Sequence, residues 1–102
     1  MRIQNKTVSA LVDSGADISV MSSKFYRKLK LDDNTLTEIK SFATSANGSH
    51  LKIHGCACIP VEIGHLQLYQ KFHISPNVSQ DIILGLDFLK DQNHLMQKQK
   101  CQ

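Results

Sequence analysis

Asp13 stands at the end of an apolar run, Val8, Ala10, Leu11 and Val12, and the chain turns directly after it through Ser14 and Gly15. A strand pinned by packing holds a carboxylate at its tip in fixed geometry, and the glycine lets a neighbour approach the backbone closely. A carboxylate held in this way can take up or deliver a proton. Asp-Ser-Gly is also ordinary turn composition, in which the aspartate caps the turn and does no chemistry. On this stretch alone both readings stand.

A second stretch, residues 81–89, carries the apolar residues Ile82, Ile83 and Leu84, ends them in Gly85 and continues into a short segment that can be helical. Together the two stretches resemble the retroviral and retrotransposon, or retropepsin-like, family of aspartic proteases. Its signature is Asp-(Ser or Thr)-Gly-Ala near the amino end and apolar-apolar-Gly further on. The matching residues are Asp13, Ser14, Gly15 and Ala16, then Ile83, Leu84 and Gly85. The continuation Leu86-Asp87-Phe88-Leu89 is more similar to retrotransposon proteases and their domesticated cellular relatives than to the lentiviral form. IPVEIG at 59–64 and ANG at 46–48 fall where the family places a strand pair and a flap, so the resemblance spans nearly the whole chain.

The resemblance implies an all-β, retropepsin-like acid protease fold. This is a small, closed, antiparallel β-barrel-like domain with a flap hairpin and one or two short helices, active as a homodimer. The implied activity is that of an aspartic endopeptidase acting on a peptide or polyprotein substrate, with no cofactor and no metal. Hydrolysing an amide with water takes one carboxylate to accept the water's proton and one carboxylic acid to polarise the carbonyl and then protonate the nitrogen. Each chain offers only Asp13 at a strand tip. A two-fold axis beside it brings in its copy, and like charges so close share one proton. The shared proton is a general property of aspartic proteases and comes with the family, not from this sequence.

Other roles are implied in the same way. Ser14 is the hydroxyl that links the two active-site turns across the dimer, and Gly15 brings its backbone to the carboxylate pair and the substrate. Ala16 lines a side-chain pocket, Asp17 accepts hydrogen bonds from the substrate main chain, and Ala46, Asn47 and Gly48 form the flap tip over the peptide. Val12, Ile18, Val61 and Leu84 are core positions first and pocket wall second, with Leu84 also a substrate contact. The chain departs from the lentiviral pattern after the second glycine, where an arginine braces the acidic residue at the place of Asp17. Leu86 stands there, followed by Asp87. Asp17 is therefore expected to be held differently, and the dimer interface to lack that ion pair. Only 12 residues precede Asp13, fewer than in many members, so the single domain over 1–102 is expected to lack upstream residues that strengthen dimerisation.

Several elements must position these residues. Arg2 to Gln4 and Thr7 to Asp13 read as two strands joined at Asn5-Lys6, with Ile18 to Met21 as another strand. Ser22 or Ser23 can cap a helix over 24–31 whose buried stripe is Phe25, Leu29 and Tyr26, ended by Asp32, Asp33 and Asn34. Asn47-Gly48 is the strongest hairpin signal, joining 39–44 to a strand from Leu51. Residues 51–63 form one long strand or two, kinked at Gly55, and Pro60, lacking a donor, belongs at an edge or bulge. Gly64-His65 turns into a returning strand through Leu66, Leu68, Phe72 and Ile74. Asp81 to Leu84 is a strand, 86–92 a short helix, 94–98 a last strand, and 93–102 a loose tail or an interface strand.

The 102 residues, 41% hydrophobic, are enough for one domain with a modest core. The net charge of +3 is spread, and Lys24, Arg27, Lys28 and Lys30 suit the wet face of a helix, so no nucleic acid is required. No apolar run reaches membrane-spanning length, and the amino end has no secretion-signal pattern. The 3 cysteines do not read as a disulfide framework, since Cys56 and Cys58 on one strand face are awkwardly placed for a bridge. With His54 they also lack the spacing and the second pair of a zinc site. Reducing surroundings, inside a cell or a virus-like particle, fit best. The alternative is a catalytically silent member of the same fold, serving as a peptide-binding or dimerisation module. A basic, nucleic-acid-associated capsid domain would need a basic face or an aromatic platform, and the aromatics belong to core stripes.

Overall fold

The computed structural model describes residues 1–32, 35–44 and 50–90, with side chains described outside 39–50. The expected flap tip at Ala46, Asn47 and Gly48 and the expected strand and tail beyond residue 90 lie outside the described residues. Strand β1 (Arg2–Ile3) turns through Gln4 and Asn5, both at positive φ, into β2 (Lys6–Thr7). The expected second strand over 7–13 is divided. Its first part pairs with β1, whereas β3 (Ala10–Val12) leaves that hairpin to lie parallel to β8 (Ile82–Leu84).

β4 (Val20–Ser22) leads into α1 (Ser23–Leu29). Ser22 is the N-cap, its Oγ accepting from the Phe25 N–H at 3.1 Å. Phe25 and Leu29, four apart, turn inward, while Lys24, Arg27 and Lys28 face water. The helix stops earlier than the acidic cluster suggests, because Lys30 adopts a left-handed conformation and closes the last turn on Arg27.

β5 (Leu36–Thr44) and β6 (His50–Ile63) form the long hairpin, and β7 (Leu66–Ser75) returns beside β6 after a turn in which Gly64 has φ 60°. β6 continues unbroken through Gly55. A Cβ there would lie 2.5 Å from the Thr37 carbonyl oxygen, so this glycine serves the close passage of β5 and not a kink. The β5–β6 register shifts between Glu38 and Ser41. Pro60 falls in a gap on β6: β5 pairs as far as Ala57, and β1 pairs at Glu62.

One curled sheet results, in the order β2-β1-β6-β7-β4-β8-β3, with β5 on β6. The hairpin ladders are antiparallel, as expected, but β4–β7 and β3–β8 are parallel. The core lies inside the curl and includes Ile3, Met21, Phe25, Ile59, Val61, Phe72, Ile74, Ile82 and Leu84. A short α2 (Leu86–Leu89) closes the described chain. Cys56 is a free buried thiol, so no bridge joins it to Cys58; against expectation, Cys58 is itself disulfide-bonded. No helix among the described residues is long and apolar enough to cross a membrane.

Candidate active site

Asp13 is half-buried at the end of the edge strand β3. Its N–H donates to the Leu84 carbonyl at 2.9 Å, extending the β3–β8 pairing to the carboxylate itself. Its Oδ1 accepts from the Gly15 N–H at 3.0 Å, and its carbonyl accepts from the Ala16 N–H at 3.1 Å. The turn-capping reading of this aspartate is thus realised. The turn is capped by one oxygen, while Oδ2 has no hydrogen bond among the described residues. Ser14 and Gly15 are exposed beside it.

The loop that follows is fastened from behind by the Gly85-Leu86-Asp87 segment. The Gly85 N–H donates to Ser19 Oγ at 3.1 Å, the Leu86 N–H to the Ala16 carbonyl at 2.7 Å, and the Asp87 N–H to the Asp17 carbonyl at 3.2 Å. Asp87 also accepts the Ser19 O–H at 2.6 Å on Oδ1 and the Ser19 N–H at 3.1 Å on Oδ2. The amide of buried Gln70 reaches Oδ2 at 3.5 Å. Such contact requires close approach: a Cβ on Gly85 would lie 2.3 Å from the Ile18 carbonyl oxygen and 2.7 Å from that of Ala16. Asp17 is therefore held through its main chain, and the side chain of Asp87 grips the loop two residues further on.

Ser19 and Asp87 are the residues that sequence reasoning missed. The available signal was a serine between the apolar Ile18 and Val20, in a loop that has to be fastened. His73 lies next to this fastening; its N–H donates to the Ser19 carbonyl at 2.9 Å, and its Nδ1 is 3.4 Å from the same oxygen. Burial lowers the His73 pKa below its ordinary 6.5, and nearby Lys71 adds to the effect; the Ser19 carbonyl and Asp87 pull the other way.

Ala16, Val20 and Ile83 form a second apolar cluster, against which Ile18, Leu51 and Val78 pack. Ala16 and Ile18 thus join the loop after Asp13 to the β6 arm and to the loop after β7. Leu84 does not belong here. Alternation along β8 sends Ile82 and Leu84 into the main core, as expected for Leu84, and Ile83 to the Ala16 side. Val61 is core as expected, whereas Val12 is not: it is 61% exposed and Leu11 is 47% exposed, an apolar pair on an open edge beside Asp13. The Asp17 side chain is exposed. Among the described residues no group of three or more His, Cys, Asp or Glu side chains could hold a metal ion.

Residues 1–91 match the family model described as "gag-polyprotein putative aspartyl protease". Among solved structures, the chain is similar to the retroviral protease-like domain of Ddi1 from Leishmania major. The two share 26% identity with a TM-score of 0.70, over 87% of this chain and 70% of that one. The curled sheet with its few short helices is thus a retroviral protease-like fold.

Proposed function

The chain belongs to the gag-polyprotein aspartyl protease family, and from that premise we propose that it is an aspartic endopeptidase, active as a homodimer, with Asp13 as its catalytic residue. The observation that carries this reading is the setting of Asp13. One carboxylate oxygen is fixed by the Gly15 N–H and the other is without a hydrogen bond among the described residues, on a turn fastened by Gly85, Leu86 and Asp87.

Two such carboxylates, one from each copy, hold a water between them. The ionised one takes a proton from the water as its oxygen attacks the carbonyl carbon, and the protonated one donates to the carbonyl oxygen. Collapse of the tetrahedral intermediate breaks the C–N bond while the nitrogen takes up a proton, leaving a carboxylic acid and an amine. The exposed Leu11 and Val12 supply apolar surface at the edge where the second copy would sit. Ser14 links the two active-site turns across the dimer, and Gly15 brings its backbone to the carboxylate pair and the substrate. The cluster of Ala16, Ile18, Val20, Leu51, Val78 and Ile83 receives an apolar side chain of the substrate, and Asp17 bonds its main chain, together with Ala46, Asn47 and Gly48 of the expected flap. Polyprotein segments in extended form are the substrate class, in keeping with the family's description.

Purified chain incubated with a mixed peptide library from acidic to neutral pH should cut selected peptides, with activity per chain rising with protein concentration. The Asp13→Asn variant should lose at least about a thousandfold in turnover while unfolding within about 1 kcal/mol of the parent. Near-native turnover in that variant would end the assignment.

A further inference from the structure

The ladder between β6 and β7 reaches its last pair at Gly55 and Ile74, and β7 ends one residue later at Ser75. Pro76 follows, and without an N–H it cannot continue a ladder. β6 extends past this point, paired on its other side with β5 through Lys52 and Phe42. The N–H of Lys52 donates instead to a side chain, Oδ1 of Asn77, at 3.0 Å. That oxygen is itself held: the hydroxyl of fully buried Ser75 donates to it at 2.8 Å, and the Asn77 N–H donates back to Ser75 Oγ at 3.4 Å. The carboxamide thus supplies the acceptor that a further strand residue would have offered. It joins the β6 arm to the loop after β7 just where Leu51 from the arm and Val78 from the loop pack on Ala16, Val20 and Ile83.

We propose that Asn77 is a positioning residue: by tying the Lys52 backbone to the loop after β7, it sets the spacing of Leu51 and Val78 across the apolar cluster and so the size of the peptide side chain admitted there. The pocket's role as a peptide site rests on the protease reading, but the tie itself does not. A side-chain oxygen anchored by a buried serine has one reach, so the two walls cannot drift apart without breaking the hydrogen bond to Lys52 or the one to Ser75. Aspartate in its place keeps the accepting oxygen, and alanine removes it.

Amide exchange and peptide binding, both followed by NMR in the Asp13→Asn background where peptides survive, test this directly. In Asn77→Ala the Lys52 amide should exchange roughly fivefold faster, while Asn77→Asp should stay close to the parent. A peptide pair differing only as Leu or Ala at the position that shifts the Leu51 and Val78 methyls should show a ratio of Kd values altered about threefold in Asn77→Ala and restored in Asn77→Asp. Unchanged Lys52 exchange in Asn77→Ala overturns the proposal. So does faster exchange with an unaltered Leu-to-Ala ratio, or a parent protein that binds neither peptide. Peptides that bind with this pattern but are never cut by the chain carrying Asp13 would remove the protease reading and leave the role of Asn77 standing.

Discussion

Replacing Ser19 by alanine should destabilise the protein through one identifiable hydrogen-bond acceptor. Ser19 is fully buried, and its Oγ both accepts from the Gly85 N–H at 3.1 Å and donates to Asp87 Oδ1 at 2.6 Å. Removing the hydroxyl leaves the buried Gly85 N–H unpaired, which costs about 1–3 kcal/mol. The lost hydrogen bond to the carboxylate adds no more than about 1 kcal/mol, because Asp87 is exposed and water can replace the donor. The net expectation is about 2 kcal/mol, or roughly 8–16 °C in Tm for a domain of this size. Urea unfolding followed by circular dichroism, at one protein concentration for all variants, should show a lower midpoint with an unchanged slope. A double-mutant cycle with Asp87→Ala should give a coupling of about 1 kcal/mol, since the two side chains share a hydrogen bond. A Ser19→Ala loss below about 0.5 kcal/mol, or strict additivity in the cycle, would show that the loop is not fastened through this pair.

Gly85→Ala would set a Cβ against the backbone oxygens of Ile18 and Ala16, which cannot swing aside; we expect a loss of about 3 kcal/mol, against about 1 kcal/mol for Gly64→Ala, where only the positive φ opposes the side chain. Comparable unfolding midpoints for the two variants would contradict this. His73 carries a lowered pKa from burial, so the unfolded chain binds its proton more readily than the folded one. Its contribution is complete above the ordinary 6.5 and declines as pH falls from there through the lower folded value. His73→Asn should therefore lose less stability than the parent between about pH 7.5 and 5, and parallel pH profiles from urea unfolding would refute the assignment. Val12→Asp puts a charge on the exposed edge beside Asp13 and should abolish dimer formation in sedimentation and the concentration dependence of specific activity; an undiminished dimer would place the interface elsewhere.

Much of the chain could be read because its determinants are local. Asp13-Ser14-Gly15 at the end of an apolar run specifies a carboxylate on a turn, and the Ser22 cap with Phe25 and Leu29 four apart specifies α1. Gly64 between two alternating runs specifies the β6–β7 hairpin. Each needs only the propensity of a few neighbouring residues. The fastening of the loop after Asp13 could not be read, since Ser19 and Asp87 are 68 residues apart and nothing near either names the other. By sequence alone Gly55 reads as a kink and Gly85 as the end of a motif; at both, another stretch of backbone passes within contact distance of where a Cβ would lie. Along β8 the alternation separates Ile83 from Leu84 by sequence alone, but which of them enters the core depends on what lies on each face of the sheet. The parallel pairing of β3 with β8 decides that, and with it the position of Asp13, because a β-strand specifies its two faces but not its neighbours.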